Sequence, residues 1–216
     1  MKRYLFVFSA VLLLVLGMVL AIYPQLPAQA PVHWNAAGEI DGWGPRAEVL
    51  MHAPFLLVLG LVWLALPKVS PRRFAVEGFE TTWWFSGMAM VALLGYMQCV
   101  HLWAAYQGGF AMDRAIVGGL GAFFVAAGNV MGKVRRNFWL GVRTPWTLAN
   151  ERVWYATHRL AARTMVAGGV LAIVVALAGW PGVVGVAGLL LGALAPVGFS
   201  LVYYKRLEKA GTLEAS

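Results

Sequence analysis

The chain is poor in charged residues and in cysteine. Asp, Glu, Lys and Arg make up 12% of its 216 residues, about half of their share in soluble domains. Apolar residues reach 61% and the mean hydropathy is +0.72, which excludes an ordinary soluble domain. The single cysteine, Cys99, excludes an intramolecular disulfide framework and a multi-cysteine metal site. The composition therefore predicts an integral membrane protein.

Six apolar runs are long enough to cross a bilayer, since a spanning helix needs about 20 residues. They lie at 4–22, 50–66, 83–105, 114–132, 164–180 and 183–204. Because these runs and their short connections occupy nearly the whole chain, we predict an all-α bundle of six transmembrane helices, a single integral membrane domain over 1–216. Two longer connections remain, an outer loop at 23–49 and an inner loop at 133–163.

The basic residues set the expected orientation. With the N-terminus inside, every Lys and Arg except Arg46 and Arg114 falls on the cytoplasmic side, as the positive-inside rule requires. We therefore expect both termini in the cytoplasm. The net charge of +8 has the same explanation, so the expected partners are membrane lipids and not nucleic acid. The N-terminus also resembles a signal peptide, but its apolar stretch from Tyr4 to Tyr23 exceeds the usual core of about 7–15 residues, which favours an uncleaved first helix.

The outer loop has the composition of a shaped binding element. Its prolines favour extended backbone and its glycines permit tight turns. Aromatic faces and hydrogen-bonding edges suit contact with a peptide or a lipid head group. The predicted ligand-binding residues are His33, Trp34, Asn35, Gly38, Asp41, Gly42 and Trp43. Interfacial anchoring explains the two tryptophans equally well, though not the turn residues around them.

The inner loop should lead directly into the fifth span. Pro145 disfavours helical backbone at the residue before it, and Asn150 is a suitable N-cap, so a helix should begin near residue 151. Trp154 and His158 share a face of that helix, which we expect to pack against the bundle. Arg159 falls on a basic face that meets water or phosphates.

Arg143 lies in the inner loop between Trp139 and Trp146. Its guanidinium could stack on an indole or hold a carboxylate or phosphate with its fork of donors. Stapling of the loop to the bundle explains the same residue equally well. Both interpretations stay open at this point.

Polar groups at membrane depth are few. Gln98 and His101 share a helix face and suit a small polar pocket, although hydrogen bonding between helices is the simpler explanation. His33 and His52 lack the His-x-x-x-His spacing of a helical metal site. We therefore expect no metal, no cofactor and no enzyme activity, and the absence of charge from the middle of each span argues against a proton-coupled pump.

Two motifs resemble known families. Pro31-Val32-His33-Trp34-Asn35, followed by Gly38, Asp41 and Gly42, is similar to the signature of the DUF1648 region. A second set of residues in this chain resembles the hallmark of the SdpI family. It comprises Asn137, Gly141, Arg143-Thr144-Pro145-Trp146-Thr147-Leu148, Asn150, Trp154 and Thr157-His158-Arg159-Leu160. Both motifs, in this order on a six-span plan, identify the chain as a member of the SdpI family over effectively its full length. Ala161-Ala162-Arg163 departs from the small, glycine-like residues of that pattern.

The resemblance implies a multi-pass protein of the bacterial inner membrane that gives immunity to a secreted peptide toxin acting on the membrane. It also implies signalling, in which a cytoplasmic transcriptional repressor is held at the membrane. A signalling or structural role would then belong to Asn137, Gly141, Arg143, Thr144, Pro145, Trp146, Asn150, Trp154, His158 and Arg159. The alternatives are a transporter or lipid-binding protein and, below these, a metal-dependent membrane enzyme with an extracytoplasmic site.

Overall fold

The described residues, 1–35, 38–108 and 110–213 of a computed structural model, form seven α-helices, one two-stranded sheet and three short 3-10 turns. The helices are α1 (Lys2–Ile22), α2 (His52–Val69), α3 (Glu80–Gln107), α4 (Met112–Met131), α5 (Pro145–Ala149), α6 (Glu151–Ala178) and α7 (Gly182–Lys209). The strands are β1 (Gln29–Trp34) and β2 (Ile40–Pro45). Residues 36 and 37 of the predicted outer loop lie outside the described residues.

Six of the described helices, all except α5, are long and apolar enough to cross a membrane. This confirms the predicted helical bundle of six spans. The helix predicted to begin near residue 151 also exists, as α6. The outer loop differs in one respect, because its extended segments pair into a β-hairpin rather than forming an irregular loop.

The spanning helices carry large apolar side chains on their outward surfaces. Phe6 on α1 is 75% exposed and Leu177 on α6 is 82% exposed. A water-soluble protein rarely exposes such continuous apolar surface, whereas the hydrocarbon core of a bilayer surrounds it with apolar chains. The exposed surface of these helices is therefore that of a protein embedded in lipid.

Glycines bring the helices of the C-terminal half into close contact. Helix α6 packs against both α4 and α7. A Cβ added to Gly121 on α4 would lie 2.8 Å from the carbonyl oxygen of Gly169 on α6, and one added to Gly168 would overlap the carbonyl of Gly188 on α7. Since helices in a bilayer are held by van der Waals packing and not by exclusion of water, small residues at these crossings stabilise the bundle.

The two long connections lie at opposite ends of the bundle. The hairpin follows α1, and its Gly38 lies against Asp113 at the start of α4. The segment between α4 and α6 lies at the other end, where the Trp139 indole donates to the Ser70 hydroxyl just after α2 (2.6 Å). We call these the hairpin end and the motif end. The two motifs therefore lie at opposite ends of the bundle, and their placement outside and inside the membrane stays a prediction.

Candidate functional site

The β-hairpin is closed by an asparagine at its turn. The strands are antiparallel, with His33 opposite Gly42 and Trp34 opposite Ile40. The Asn35 backbone N–H donates to the carbonyl of Glu39 (2.9 Å). The two side chains add a second link, since Asn35 Nδ2 donates to Glu39 Oε2 (2.9 Å) and the Glu39 N–H donates to Asn35 Oδ1 (3.0 Å). Asn35 therefore shapes the turn, and the expected extended backbone is confirmed on both sides of it.

Two predicted site residues form a pair across the strands. His33 Nδ1 and Asp41 Oδ1 lie 2.5 Å apart, and their side chains are 70% and 43% exposed. An exposed pair of this kind contributes only about 0–1 kcal/mol to stability. The fold therefore has little need of His33 and Asp41, which leaves both side chains available to a ligand.

The hairpin is held firmly on the bundle. The Trp34 ring meets the edge of the His101 ring on α3, with centroids 5.3 Å apart. Ala30 of β1 and Val49 are fully buried and pack in one cluster with Leu102 of α3. Trp34 is thus partly a packing residue, unlike Trp43, which is 61% exposed.

Gly38 and Gly42 shape the hairpin through their lack of a side chain. Gly38 has φ +79°, a left-handed conformation that L-residues with a Cβ adopt only with strain. A Cβ on Gly42 would lie 2.7 Å from the Cβ of His33. The geometry gives both glycines a structural reason to be present, and direct contact with a ligand stays a prediction for them.

Asn137 organises the first turn of the motif segment. Its side chain is fully buried. The amide Nδ2 donates to the carbonyls of Arg135 (2.8 Å) and Leu140 (3.0 Å). Its Oδ1 accepts from the backbone N–H groups of Trp139 and Leu140, each at 2.7 Å. A single side chain thereby satisfies four backbone groups that no helix or strand serves.

His158 joins the motif segment to α6. The Val142 N–H donates to His158 Nε2 (3.0 Å), so the other ring nitrogen carries the proton and donates to the Trp154 carbonyl (2.8 Å). The Trp154 ring stacks on the imidazole at 4.0 Å, and its Nε1–H donates to the Val134 carbonyl (2.8 Å). Gly141, at φ +111°, leaves room for the imidazole, which any Cβ there would overlap. The prediction that Trp154 and His158 pack is confirmed.

Capping interactions determine where α5 and α6 begin. Thr144 and Thr147 form a reciprocal capping box around α5, which has Pro145 in its first turn. The Thr144 hydroxyl also lies 3.0 Å from the hydroxyl of Ser200 on α7. Asn150 Oδ1 accepts from the backbone N–H three residues later (3.1 Å) and caps α6 as predicted. These four polar side chains are buried, so they serve the fold directly.

The exposed part of the motif consists mainly of arginines. Arg143 and Arg159 are both exposed, whereas Trp146 is half-buried. The Arg143 guanidinium donates to the carbonyl of Phe138 within the same segment. This contact lies within the loop and does not join it to the bundle, so both interpretations of Arg143, stapling to the bundle and ligand contact, stay predictions.

Three hydroxyl residues contribute to the motif end although we predicted no role for them. Thr147 could have been found from its position three residues after Thr144, which is the spacing of a capping box. Ser200 and Ser70 carry no comparable signal, because their partners lie on distant parts of the chain.

Family comparisons match both regions. The SdpI/YfhL protein family model matches residues 133–203, which include the motif segment and α6. The model of a domain of unknown function, DUF1648, matches residues 10–58, which include the hairpin. Together the two matches cover more than half of the chain, in the predicted order. Over residues 133–203 the chain is similar to the SdpI family. The six helices long and apolar enough to span a membrane, together with this similarity to a bacterial protein family, support a multi-pass protein of the bacterial inner membrane.

A curated relative supports the same assignment. The immunity protein SdpI of Bacillus subtilis (strain 168) is 26% identical over 145 residues, which cover 67% of this chain and 68% of that protein. No solved structure matches the chain. The name of the relative describes an immunity protein.

Proposed function

We propose that this SdpI-family protein gives its host immunity to a secreted peptide toxin that acts on the bacterial membrane. The family match and the name of the Bacillus subtilis relative support immunity in general. The observation that carries the role of a peptide receptor is the hairpin, which is fixed on the bundle yet exposes His33, Asp41 and Trp43.

The proposed orientation places the hairpin end outside the cell. The motif end carries exposed basic residues, among them Arg143, Arg152 and Arg159. Lys and Arg in short connections favour the cytoplasmic side. With the motif end inside, a toxin arriving from outside meets the hairpin first.

A hairpin offers an extended peptide two means of binding. Three of the six residues of strand β2 are exposed, and a peptide strand can hydrogen-bond to the edge of a sheet while side chains supply specificity. Trp43 adds a large aromatic surface of the kind that dominates many protein interfaces. The exposed pair of His33 and Asp41 provides hydrogen-bonding groups next to it. We infer that toxin binds along β2 and covers Trp43.

The motif end suits a cytoplasmic partner. Asn137, Asn150 and His158 are buried and hydrogen-bonded within the fold. A transcriptional repressor would therefore contact the exposed residues Arg143 and Arg159. Arginine at a protein interface pairs well with carboxylates on the partner. Signalling through this end rests on the family resemblance together with these exposed charges.

Survival under toxin challenge tests the immunity role. A sensitive strain expressing this chain is exposed to the toxin against which the Bacillus subtilis relative gives immunity. We expect protection by the wild-type protein and loss of protection by Trp43→Ala. The matched control is Trp180→Ala, which removes another tryptophan that is 54% exposed but lies between α6 and α7, outside the hairpin.

Membrane abundance separates loss of function from loss of protein. His33→Ala and Trp34→Ala should also abolish protection while the protein still reaches the membrane in normal amounts. Failure of the correctly inserted wild-type protein to protect would refute the immunity role. If Trp43→Ala and Trp180→Ala reduced survival equally, the result would contradict a role of the hairpin in toxin recognition.

A further inference from the structure

The hairpin end contains a buried histidine, His101, and a partly buried one, His52, and both differ from the other two histidines in the chain. His33 bonds to Asp41, and both ring nitrogens of His158 have partners. By contrast, His101 is only 2% exposed. Its ring lies close to the backbone carbonyl of Pro31, but neither ring nitrogen forms a hydrogen bond of normal geometry with the described residues. The Nδ1 atom of His52 is likewise buried and unpartnered.

A third unpartnered group lies beside this pair. Gln98 is one turn before His101 on α3 and is fully buried. Its Nε2 donates to the Val49 carbonyl (2.8 Å), which holds the amide close to the turn that leads to His52. Its Oε1, which can only accept, has no partner among the described residues.

The atoms without hydrogen-bond partners share one chemical requirement. Each neutral imidazole has one nitrogen with a free lone pair, and the Gln98 amide oxygen is an acceptor. A buried acceptor without a partner destabilises a protein, so three such groups in one place call for a shared electron-pair acceptor. A metal ion supplies this. Imidazole suits Zn²⁺, which also takes oxygen ligands and a water molecule in its coordination sphere.

The ring separation agrees with a shared ion. The centroids of the His52 and His101 rings are 5.4 Å apart, and the ring planes are inclined by 80°. Two imidazoles bound to one tetrahedral Zn²⁺, at about 2.0–2.1 Å for each Zn–N bond, have centroids roughly 5–5.5 Å apart.

We propose that His52, His101 and Gln98 bind one zinc ion beneath the hairpin, with water completing a tetrahedral site. Among the described residues no three His, Cys, Asp or Glu side chains converge, so the third protein ligand is the amide oxygen of Gln98. The Trp34 ring, in edge contact with His101, covers the site and holds the imidazole in place. The ion links α2 to α3 directly under the hairpin.

This proposal departs from our expectation of no metal. The expectation considered His33 together with His52, whose spacing suits no helical metal site. The fold instead pairs His52 with His101 of α3, and this pairing depends on a helix contact that the sequence pattern does not reveal.

Zinc binding by the purified protein tests the site. Full-length protein with its affinity tag removed is stripped with a chelator in detergent and titrated with Zn²⁺ by calorimetry. We expect one Zn²⁺ per chain for the wild type and an affinity at least about tenfold lower for His52→Ala, since even outer-shell changes cost that much. His33→Ala is the matched control, because it removes an exposed histidine of the hairpin and should bind zinc normally.

A second variant distinguishes loss of zinc binding from misfolding. His101→Phe fills similar space and leaves no unpaired ring nitrogen, so it should fold, lose zinc binding and melt at the same temperature with or without Zn²⁺. The wild type should melt at a higher temperature with Zn²⁺. The proposal is overturned if the wild type binds no stoichiometric zinc, or if His52→Ala and His101→Phe bind it as tightly as the wild type. These readouts do not depend on toxin protection.

Discussion

Removing the Asn137 side chain should destabilise the motif end strongly. Asn137→Ala deletes four hydrogen bonds and leaves the carbonyl of Arg135, both backbone groups of Leu140 and the N–H of Trp139 without their partner. A typical hydrogen bond contributes about 1 kcal/mol net. Because some of the freed groups can reach water at the membrane surface, we expect a loss of about 2–4 kcal/mol rather than the full sum.

Thermal unfolding in detergent measures this loss. For a chain of this size, 1 kcal/mol corresponds to about 2–4 °C, so the melting temperature should fall by about 5–15 °C. Asn137→Asp should also destabilise, because it keeps the acceptor oxygens but places a carboxylate against the two carbonyls. The matched control is Asn129→Ala, the same change at an exposed position of α4, where we expect less than about 0.5 kcal/mol. Equal melting temperatures for Asn137→Ala and Asn129→Ala would refute the stabilising role of the four Asn137 hydrogen bonds.

Three further changes follow from the geometry. Gly141→Ala forces a Cβ into φ +111° and into the His158 ring, so the melting temperature should fall by an amount equivalent to about 2–4 kcal/mol; no change would contradict the close contact. Tyr4→Phe removes a buried hydrogen bond to the Gly60 carbonyl (2.7 Å) and should cost about 1 kcal/mol in the same assay, whereas unchanged stability would show that the bond contributes nothing. Arg143→Ala should reduce repressor-dependent signalling in a reporter strain while toxin survival stays normal, and equal loss of both would count against the division between the two ends.

The features that follow from local chemistry were predictable. Spanning helices need only a sufficient length of apolar residues, so all six were found. The start of α6 depends on Asn150, whose side chain accepts from a backbone N–H three residues away. Such a cap is encoded within one turn of the chain and can be identified without knowing the fold.

The features that depend on distant contacts were not predictable. The prolines and glycines of the outer loop predicted extended backbone and turns, but the pairing of Trp34 with Ile40 includes a register irregularity that no spacing rule gives. The packing of Trp34 on His101 joins the hairpin to α3. A sequence pattern cannot distinguish such a packed tryptophan from an exposed one such as Trp43.

The motif residues explain why similarity to a family predicts the fold more securely than the partner. Asn137, Thr144, Asn150 and His158 are buried and hydrogen-bonded within the motif end. Substitution at these positions leaves buried polar groups unpaired, so any chain that keeps this architecture has a physical reason to retain them. Arg143 is exposed and joined to the segment by a contact with a backbone carbonyl. A different partner could therefore be accommodated by changing exposed residues at either end without disturbing the bundle.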